Sequence, residues 1–136
     1  MTEKSFFLEI LTPERLFFSE EVEAVSITTV DGGYTILAGH SPITMPLVIG
    51  SIQMKQNGEW REAFQSEGFI EFDNNRAHVF LQACEWPDDI DEQRAKAAEQ
   101  RLLERMMRQR SIIEYQWSRV ALTRAMERLR IAHKKM

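Results

Sequence analysis

Glycine and proline are missing from the last 49 residues of this 136-residue chain, the part that follows Pro87. Both residues interrupt helices, and the same segment is rich in Ala, Arg, Glu, Leu and Met. This composition predicts sustained helix. All six glycines and the other three prolines lie upstream, so the first part of the chain must be built differently.

Cysteine and long apolar runs are also scarce. A single cysteine, Cys84, excludes an internal disulfide. No run approaches eighteen apolar residues, and the N-terminus lacks the basic and then apolar pattern of a secretory signal. We therefore expect a soluble, cytosolic protein. With 43% hydrophobic residues, a chain of this length is expected to build one core, with at most a helical appendage.

Charge is distributed unevenly. The net charge is -4, but residues 1–86 carry five basic and thirteen acidic side chains, whereas residues 87–136 carry twelve basic and eight acidic ones. From Arg101 onward, ten basic side chains stand against three acidic ones. A basic tail on an acidic body indicates an acidic partner, a phosphate ligand or docking of the tail on its own body. A solvated helix face explains the same counts equally well.

Residues 1–86 show the two-residue alternation and the frequent turn signals of short strands. Residues 22–30 alternate as one strand, Asn57-Gly58 is the clearest hairpin turn, and Asp73-Asn74-Asn75 marks a second turn. About nine or ten strands at intervals of roughly ten residues predict an antiparallel sandwich or a flattened barrel.

Acidic residues after Pro87 mark the start of the helical part. Asp89, with Glu92 three residues later, is the predicted N-cap, because these carboxylates can satisfy amides of a first helical turn.

Two apolar stripes with a period of 3.6 residues predict two helices of about twenty residues each. The first stripe comprises Ala95, Ala98, Leu102 and Met106, and the second comprises Ser118, Leu122, Ala125, Leu129 and Ala132. Residues 107–111 between them contain no breaker, so the break is inferred from length and phase. An antiparallel hairpin is expected; a single helix of nearly 45 residues is the competing conformation.

Short motifs follow one another along nearly the whole chain. They are Leu11-Thr12-Pro13-Glu14-Arg15, Asp31-Gly32-Gly33-Tyr34-Thr35-Ile36-Leu37, Gly39-His40-Ser41-Pro42, Glu67-Gly68-Phe69, Ala83-Cys84-Glu85-Trp86-Pro87 and Ile90-Asp91-Glu92-Gln93-Arg94-Ala95. Their order and spacing resemble those of the epsilon subunit of rotary F-type ATP synthases, and so does the last helix.

The resemblance implies an α+β fold, with an antiparallel ten-stranded β-sandwich over residues 1–86 and a C-terminal antiparallel two-helix hairpin over residues 87–136. It implies a non-catalytic subunit of the rotor, peripheral on the cytoplasmic face of the energy-coupling membrane. The expected partners are the gamma subunit and the c-subunit ring. The loop of Gly39, His40, Ser41 and Pro42 resembles the segment at the ring contact. An extended hairpin is expected to reach the catalytic alpha and beta subunits and to inhibit ATP hydrolysis.

Some family members bind ATP in the folded hairpin as a regulatory ligand, without requiring a cofactor. Arg94 and Arg101 are two helical turns apart, and Arg124 and Arg128 are one turn apart, so each pair shares a helix face. Guanidinium groups suit triphosphate oxygens. The resemblance adds two acceptors for adenine or ribose, and the predicted site is Glu85, Asp91, Arg94, Arg101, Arg124 and Arg128. Asp91 has an alternative role at a helix start, where it interacts favourably with the macrodipole.

Two other functional classes were weighed. An enzyme using Cys84 as nucleophile and His78 as base requires proton transfer over about 20 Å along one strand, which is too far. A nucleic-acid adaptor is opposed by the acidic body and by a tail with few aromatic residues, so no nucleic-acid partner is expected. His40, His78 and His133 show no spacing typical of metal ligands.

Overall fold

The computed structural model describes residues 4–108 and 112–134. The chain divides into two compact units, Met1–Glu85 and Trp86–Met136, a division one residue earlier than the sequence suggests. The first unit contains ten strands and the second contains two helices. The predicted α+β class is therefore confirmed.

The first unit is a sandwich of two five-stranded sheets. Its strands are β1 (Phe6–Leu11), β2 (Leu16–Val22), β3 (Ala24–Thr29), β4 (Gly32–Leu37), β5 (Ile43–Leu47), β6 (Gly50–Gln56), β7 (Glu59–Gln65), β8 (Gly68–Asp73), β9 (Arg76–Leu81) and β10 (Cys84–Glu85). The order is β2-β1-β9-β8-β5 in the first sheet and β10-β7-β6-β3-β4 in the second. β5 holds Pro46 and lies at an edge, where proline is tolerated because no ladder donor is needed on the open side.

Strand pairing departs from expectation in one respect. β1 pairs with β9 in parallel, whereas the other pairings are antiparallel. Both predicted turns are present. Asn57 and Gly58 join β6 to β7, and Asn74 and Asn75 join β8 to β9, all four with positive φ. Two-residue turns of this kind match the twist of the hairpin strands.

The single strand predicted over residues 22–30 is wrong. β2 ends at Val22 in the first sheet, and β3 begins at Ala24 in the second. Glu23 lies at this crossing, where its amide donates to the carbonyl of Lys55 at 2.8 Å. Val22 and Ala24 are both buried, so their alternation looks continuous although the chain changes sheets.

The inner faces of the two sheets form the sandwich core. Its largest fully buried side chains include Phe6, Leu8, Ile10, Ile27, Ile36, Ile52, Met54, Ile70 and Phe72. Phe6 and Phe72 meet edge to face, with ring centroids 5.4 Å apart. The amide of buried Gln65 accepts from the Thr28 amide and donates to the carbonyls of Thr28 and Val48. This side chain satisfies backbone groups that lack a ladder partner.

The helical unit begins with a short 3₁₀ turn over Pro87–Asp89, followed by α1 (Glu92–Met107) and α2 (Ile112–Lys134). The predicted N-cap, Asp89, is wrong because Asp89 belongs to the turn. Ile90 follows in an extended conformation and is buried, which delays the helix. Asp91 is the N-cap instead, and its Oδ1 accepts from the amide of Arg94 at 3.0 Å.

α1 and α2 pack against each other. Both predicted stripes face inward: Ala95 and Leu102 are buried on α1, and Ser118, Ala125, Leu129 and Ala132 on α2. The structure shows the hairpin rather than one long helix, with helices of 16 and 23 residues. Most of the predicted break, at residues 109–111, lies outside the described residues. In the described part of the chain, neither helix has the length and apolar character needed to span a membrane.

Candidate functional site

The loop between β4 and β5, predicted to meet the c-ring, is tied down at its base. Gly39 adopts φ +81, and its amide donates to Oδ1 of Asn75 at 2.9 Å. The side-chain nitrogen of Asn75 donates in turn to the carbonyl of Ser5 at 2.9 Å. The loop is thus fixed to the β8–β9 turn and to the start of the chain.

His40 holds this loop from inside. Its Nδ1 lies 2.7 Å from the carbonyl oxygen of Ser41, and its Nε2 lies 2.8 Å from the hydroxyl of Tyr34. A carbonyl only accepts, so Nδ1 carries hydrogen and the neutral ring accepts from Tyr34 through Nε2. The ring also packs edge to face on Phe72, with centroids 5.8 Å apart. His40 therefore shapes the loop, whereas Ser41 and Pro42 are exposed.

Apolar side chains cross the outer face of the first sheet in one row. The strand registers place Leu16 opposite Leu11, Leu11 opposite Phe80, Phe80 opposite Phe69, and Phe69 opposite Pro46. We call these five residues the apolar row. Phe69 and Phe80 stack with ring centroids 4.9 Å apart, and every member except half-buried Leu11 is exposed. The row runs across all five strands of the sheet.

A charged row lies two residues along each strand from the apolar row. His78 is paired with Glu9 on one side and with Glu71 on the other. Nε2 of His78 lies 3.3 Å from Oε1 of Glu9. In the next row the guanidinium of Arg76 lies over the ring of Phe7, 5.2 Å from its centroid. The apolar row is thus bordered on one side by two carboxylates that flank a histidine.

Sequence reasoning missed the apolar row. Phe69 and Phe80 alternate with buried Ile70 and Val79, and exposed aromatics out of phase with the core were a detectable signal. Their alignment across five strands was not detectable, since it depends on the parallel pairing of β1 with β9.

The six residues predicted to bind nucleotide divide between the two units. Glu85 ends β10 and is half-buried, and the other five belong to the helical unit. Asp91 is exposed and caps α1. Arg94 and Arg101 are exposed on α1, and Arg124 and Arg128 are half-buried on α2.

An ion pair defines how the two helices run. Oε2 of Glu92, at the start of α1, lies 3.8 Å from Nε2 of His133, near the end of α2. The helices are therefore antiparallel. At about 100° per residue, Glu92 and His133 project to one side of the buried stripes, and all four arginines project to the opposite side. We call that opposite side the arginine flank. The nucleotide assignment itself stays a prediction.

The geometry does not support a nucleophilic cysteine. Cys84 lies in β10 of the second sheet, whereas His78 lies in β9 of the first sheet and pairs with Glu9. Burial raises the pKa of the Cys84 thiol far above its usual range, and nearby Glu85 adds to the rise. A thiol held in this way is a poor nucleophile. In residues 4–108 and 112–134, no group of three or more His, Cys, Asp or Glu side chains is placed to hold a metal ion.

Comparison with known proteins identifies the family. Residues 5–87 match the model described as ATP synthase, Delta/Epsilon chain, beta-sandwich domain. The ATP synthase epsilon chain of Caldicellulosiruptor bescii is 43% identical over 127 residues, which cover 93% of each chain. That of Caldanaerobacter subterraneus subsp. tengcongensis is 42% identical over 133 residues, covering 97% of this chain and 96% of the relative. The chain belongs to the ATP synthase epsilon-chain family.

Solved structures share the fold of this epsilon-family chain. A chain of the mitochondrial ATP synthase of Euglena gracilis, in an assembly of OSCP, F1 and c-ring, superposes with a TM-score of 0.79 at 17% identity. The match covers 91% of the chain described here and 79% of that chain. Epsilon chains are non-catalytic subunits, so this family member is not itself an enzyme.

Proposed function

We propose that this epsilon-family chain is a central-stalk subunit that couples ion-driven rotation to ATP synthesis. The sandwich docks on the gamma subunit and the c-ring, at the cytoplasmic face of the membrane, and the hairpin restrains ATP hydrolysis. The observation that carries the docking proposal is the apolar row. Aligned apolar side chains across the outer face of a sheet, with a charged rim on one side, have the character of a protein-binding surface.

The chemistry of the row defines the gamma surface that fits it. Stacked Phe69 and Phe80 supply a flat aromatic centre, which is the kind of residue that dominates interface energies. Glu9 and Glu71 border this centre and favour basic groups on the partner. We therefore propose that gamma contributes an apolar patch with lysine or arginine beside it.

The loop at residues 39–42 is the proposed contact with the c-ring. Its anchoring through Asn75 and His40 fixes the backbone before binding, which reduces the entropy lost on docking. Exposed Ser41 and Pro42 are the residues offered to the ring.

Binding of variants to a gamma–c-ring subcomplex tests the docking proposal. Phe69→Glu and Phe80→Glu place a charge in the centre of the row, and each is expected to weaken binding at least about tenfold, since burying an unpaired carboxylate costs well over 1.4 kcal/mol. Trp60→Glu is the matched control, because Trp60 is exposed but lies on β7 of the second sheet. Equal loss in all three variants, or no loss in the first two, would reject the row as the docking surface.

The inhibitory role proposed for the hairpin rests on its charge and on its separation from the sandwich as a compact unit. From Arg101 onward the chain carries ten basic and three acidic side chains. In the extended state these basic groups would meet an acidic edge of the catalytic alpha and beta subunits, and so oppose rotation in the hydrolysis direction.

ATP is the proposed ligand of the folded hairpin. Arg94, Arg101, Arg124 and Arg128 form the arginine flank, where four positive charges would repel one another less with a triphosphate bound. Asp91 uses Oδ1 as the helix cap and has a second oxygen for ribose or adenine. ATP at a hundred times its dissociation constant would stabilise the folded hairpin by about 2.7 kcal/mol.

Calorimetric titration of the full chain with ATP tests this ligand. We expect saturable binding that is lost in Arg128→Ala and retained in Arg130→Ala. Arg130 is the matched control because it lies off the arginine flank and pairs with Glu127. ADP in place of ATP tests the need for the third phosphate. No heat with the wild-type chain, or equal loss in both variants, would remove ATP as a ligand and leave the docking proposal standing.

A further inference from the structure

Large apolar side chains are exposed on the flank of the hairpin that lies opposite the arginine flank. Leu103 and Met107 on α1 are 48% and 86% exposed, and Tyr115 and Met126 on α2 are 42% and 52% exposed. We call this set the methionine flank. Exposed methionines recur at protein-binding surfaces because the flexible thioether adapts to its partner.

The ion pair of Glu92 with His133 shows that these four residues share one side of the hairpin. At about 100° per residue, Leu103 and Met107 project to the same side of α1 as Glu92. Tyr115 and Met126 project to the same side of α2 as His133 by the same rule. Since Glu92 and His133 meet at 3.8 Å, the two sets form one continuous surface along the helix pair.

Charges on this surface are divided between the two helices. The α1 edge carries Glu92 and Glu99, with Lys96 between them, whereas the α2 edge carries the cationic side chains Arg119 and Arg130 together with His133. One edge is therefore mainly acidic and the other basic. A surface of this kind is complementary to itself after a two-fold rotation, because each α1 edge then meets the α2 edge of the other copy.

We propose that the methionine flank binds a second copy of this chain in a two-fold symmetric dimer, with α1 of each copy over α2 of the other. The exposed side chains Leu103, Met107, Tyr115 and Met126 form its centre, and the divided charges select the pairing. Four apolar side chains per copy make a small interface, so the dimer is weak, with a dissociation constant on the order of micromolar to tens of micromolar. The dimer is a property of the free subunit, and it does not depend on the proposed docking to gamma or binding of ATP.

Sedimentation equilibrium of the full-length chain over a range of concentrations tests the dimer. We expect a monomer–dimer equilibrium in the wild-type chain. Met107→Glu and Met126→Glu should each raise the dissociation constant at least about tenfold, since each buries a carboxylate in the apolar centre. Trp117→Glu is the matched control, because Trp117 is 77% exposed on α2 but projects to the arginine flank. Circular dichroism checks that each variant keeps its helices.

A mixing experiment tests the symmetry. Glu99→Lys makes both edges basic, and Arg130→Glu makes the α2 edge less basic, so each variant alone should dimerise less than the wild-type chain. In an equimolar mixture the altered edges complement one another in the heterodimer, and dimerisation should recover. A mixture that stays as monomeric as its components would contradict the two-fold arrangement.

Other outcomes overturn the proposal outright. A wild-type chain that stays monomeric at all concentrations removes the dimer. A dimer that persists in Met107→Glu and Met126→Glu, or that is lost equally in Trp117→Glu, places the contact elsewhere. A dimer that is lost in Phe69→Glu instead would assign self-association to the apolar row of the sandwich.

Discussion

At the scale of single residues, Gly68 shows how closely β8 and β9 approach each other. A Cβ at this position would lie 1.8 Å from the carbonyl oxygen of Phe80, so the backbone itself would have to move. We expect Gly68→Ala to lower the free energy of unfolding by about 2 kcal/mol or more. It should also disturb the neighbouring pair of Phe69 and Phe80.

Gly33→Ala is the control for this substitution. Its Cβ would meet only the carbonyl oxygen of Ile27, at an ordinary distance of 4.0 Å, and we expect a change within about 0.5 kcal/mol. Urea denaturation of the full chain measures both variants. Equal stability of Gly68→Ala and the wild-type chain would show that β8 can shift freely.

Cys84 makes folding sensitive to alkaline pH. Burial holds the pKa of its thiol above the ordinary value of 9.0, so the folded chain keeps a proton that the unfolded chain loses. This contribution to stability is complete below pH 9.0 and falls as the pH rises above that value. Cys84→Ala should lose less stability than the wild-type chain between about pH 8 and about pH 10.

Thiol labelling gives an independent check on Cys84. The buried thiol should react with a thiol-specific reagent only as fast as the chain opens, and urea should accelerate the reaction. Rapid labelling of the native chain, or equal alkaline loss in Cys84→Ala, would contradict its burial as a neutral group.

At the scale of elements, the cap of α1 is the part of the hairpin most open to a single substitution. Asp91→Ala removes the acceptor for the Arg94 amide and should destabilise the helical unit by about 1 kcal/mol. Asp89→Ala, in the preceding 3₁₀ turn, should have a much smaller effect. Amide hydrogen exchange in α1 compares the two variants. A larger effect of Asp89 would restore the cap expected from the sequence.

Local patterns predicted the elements where the signal was local. The 3.6-residue stripes located the buried faces of α1 and α2, and Asn57-Gly58 located the β6–β7 turn. Residues 22–30 failed because Val22 and Ala24 are both buried although the chain changes sheets between them. The cap failed because a buried residue, Ile90, separates the 3₁₀ turn from the helix.

Functional residues were predictable to the extent that they act through spacing. The placement of Arg94 and Arg101 on one helix face follows from a separation of seven residues. The apolar row does not follow from any local pattern, because Leu11 and Phe80 are brought together by a parallel pairing across 69 positions of the sequence. Resemblance pointed to the loop at residues 39–42, but only the hydrogen bonds of His40 show that its ring faces inward.

At the scale of the whole molecule, the division into two units predicts that they can be separated. Residues 1–85 contain both sheets and their core, so deletion of residues 88–136 should leave a chain that folds cooperatively and still binds the gamma–c-ring subcomplex. Thermal unfolding and the binding assay measure these two properties. A truncated chain that does not fold would show that the sandwich depends on its helical extension.

ATP hydrolysis by the assembled synthase, reconstituted with the full chain or with the chain lacking residues 88–136, tests the central claim most directly. If the sandwich docks and the hairpin inhibits, both chains should enter the complex, and the truncated chain should give hydrolysis at least about twofold faster, since removing even about 0.4 kcal/mol of inhibitory stabilisation has that effect. Equal hydrolysis with equal incorporation would contradict the inhibitory hairpin, and failure of both chains to enter the complex would contradict the rotor assignment itself.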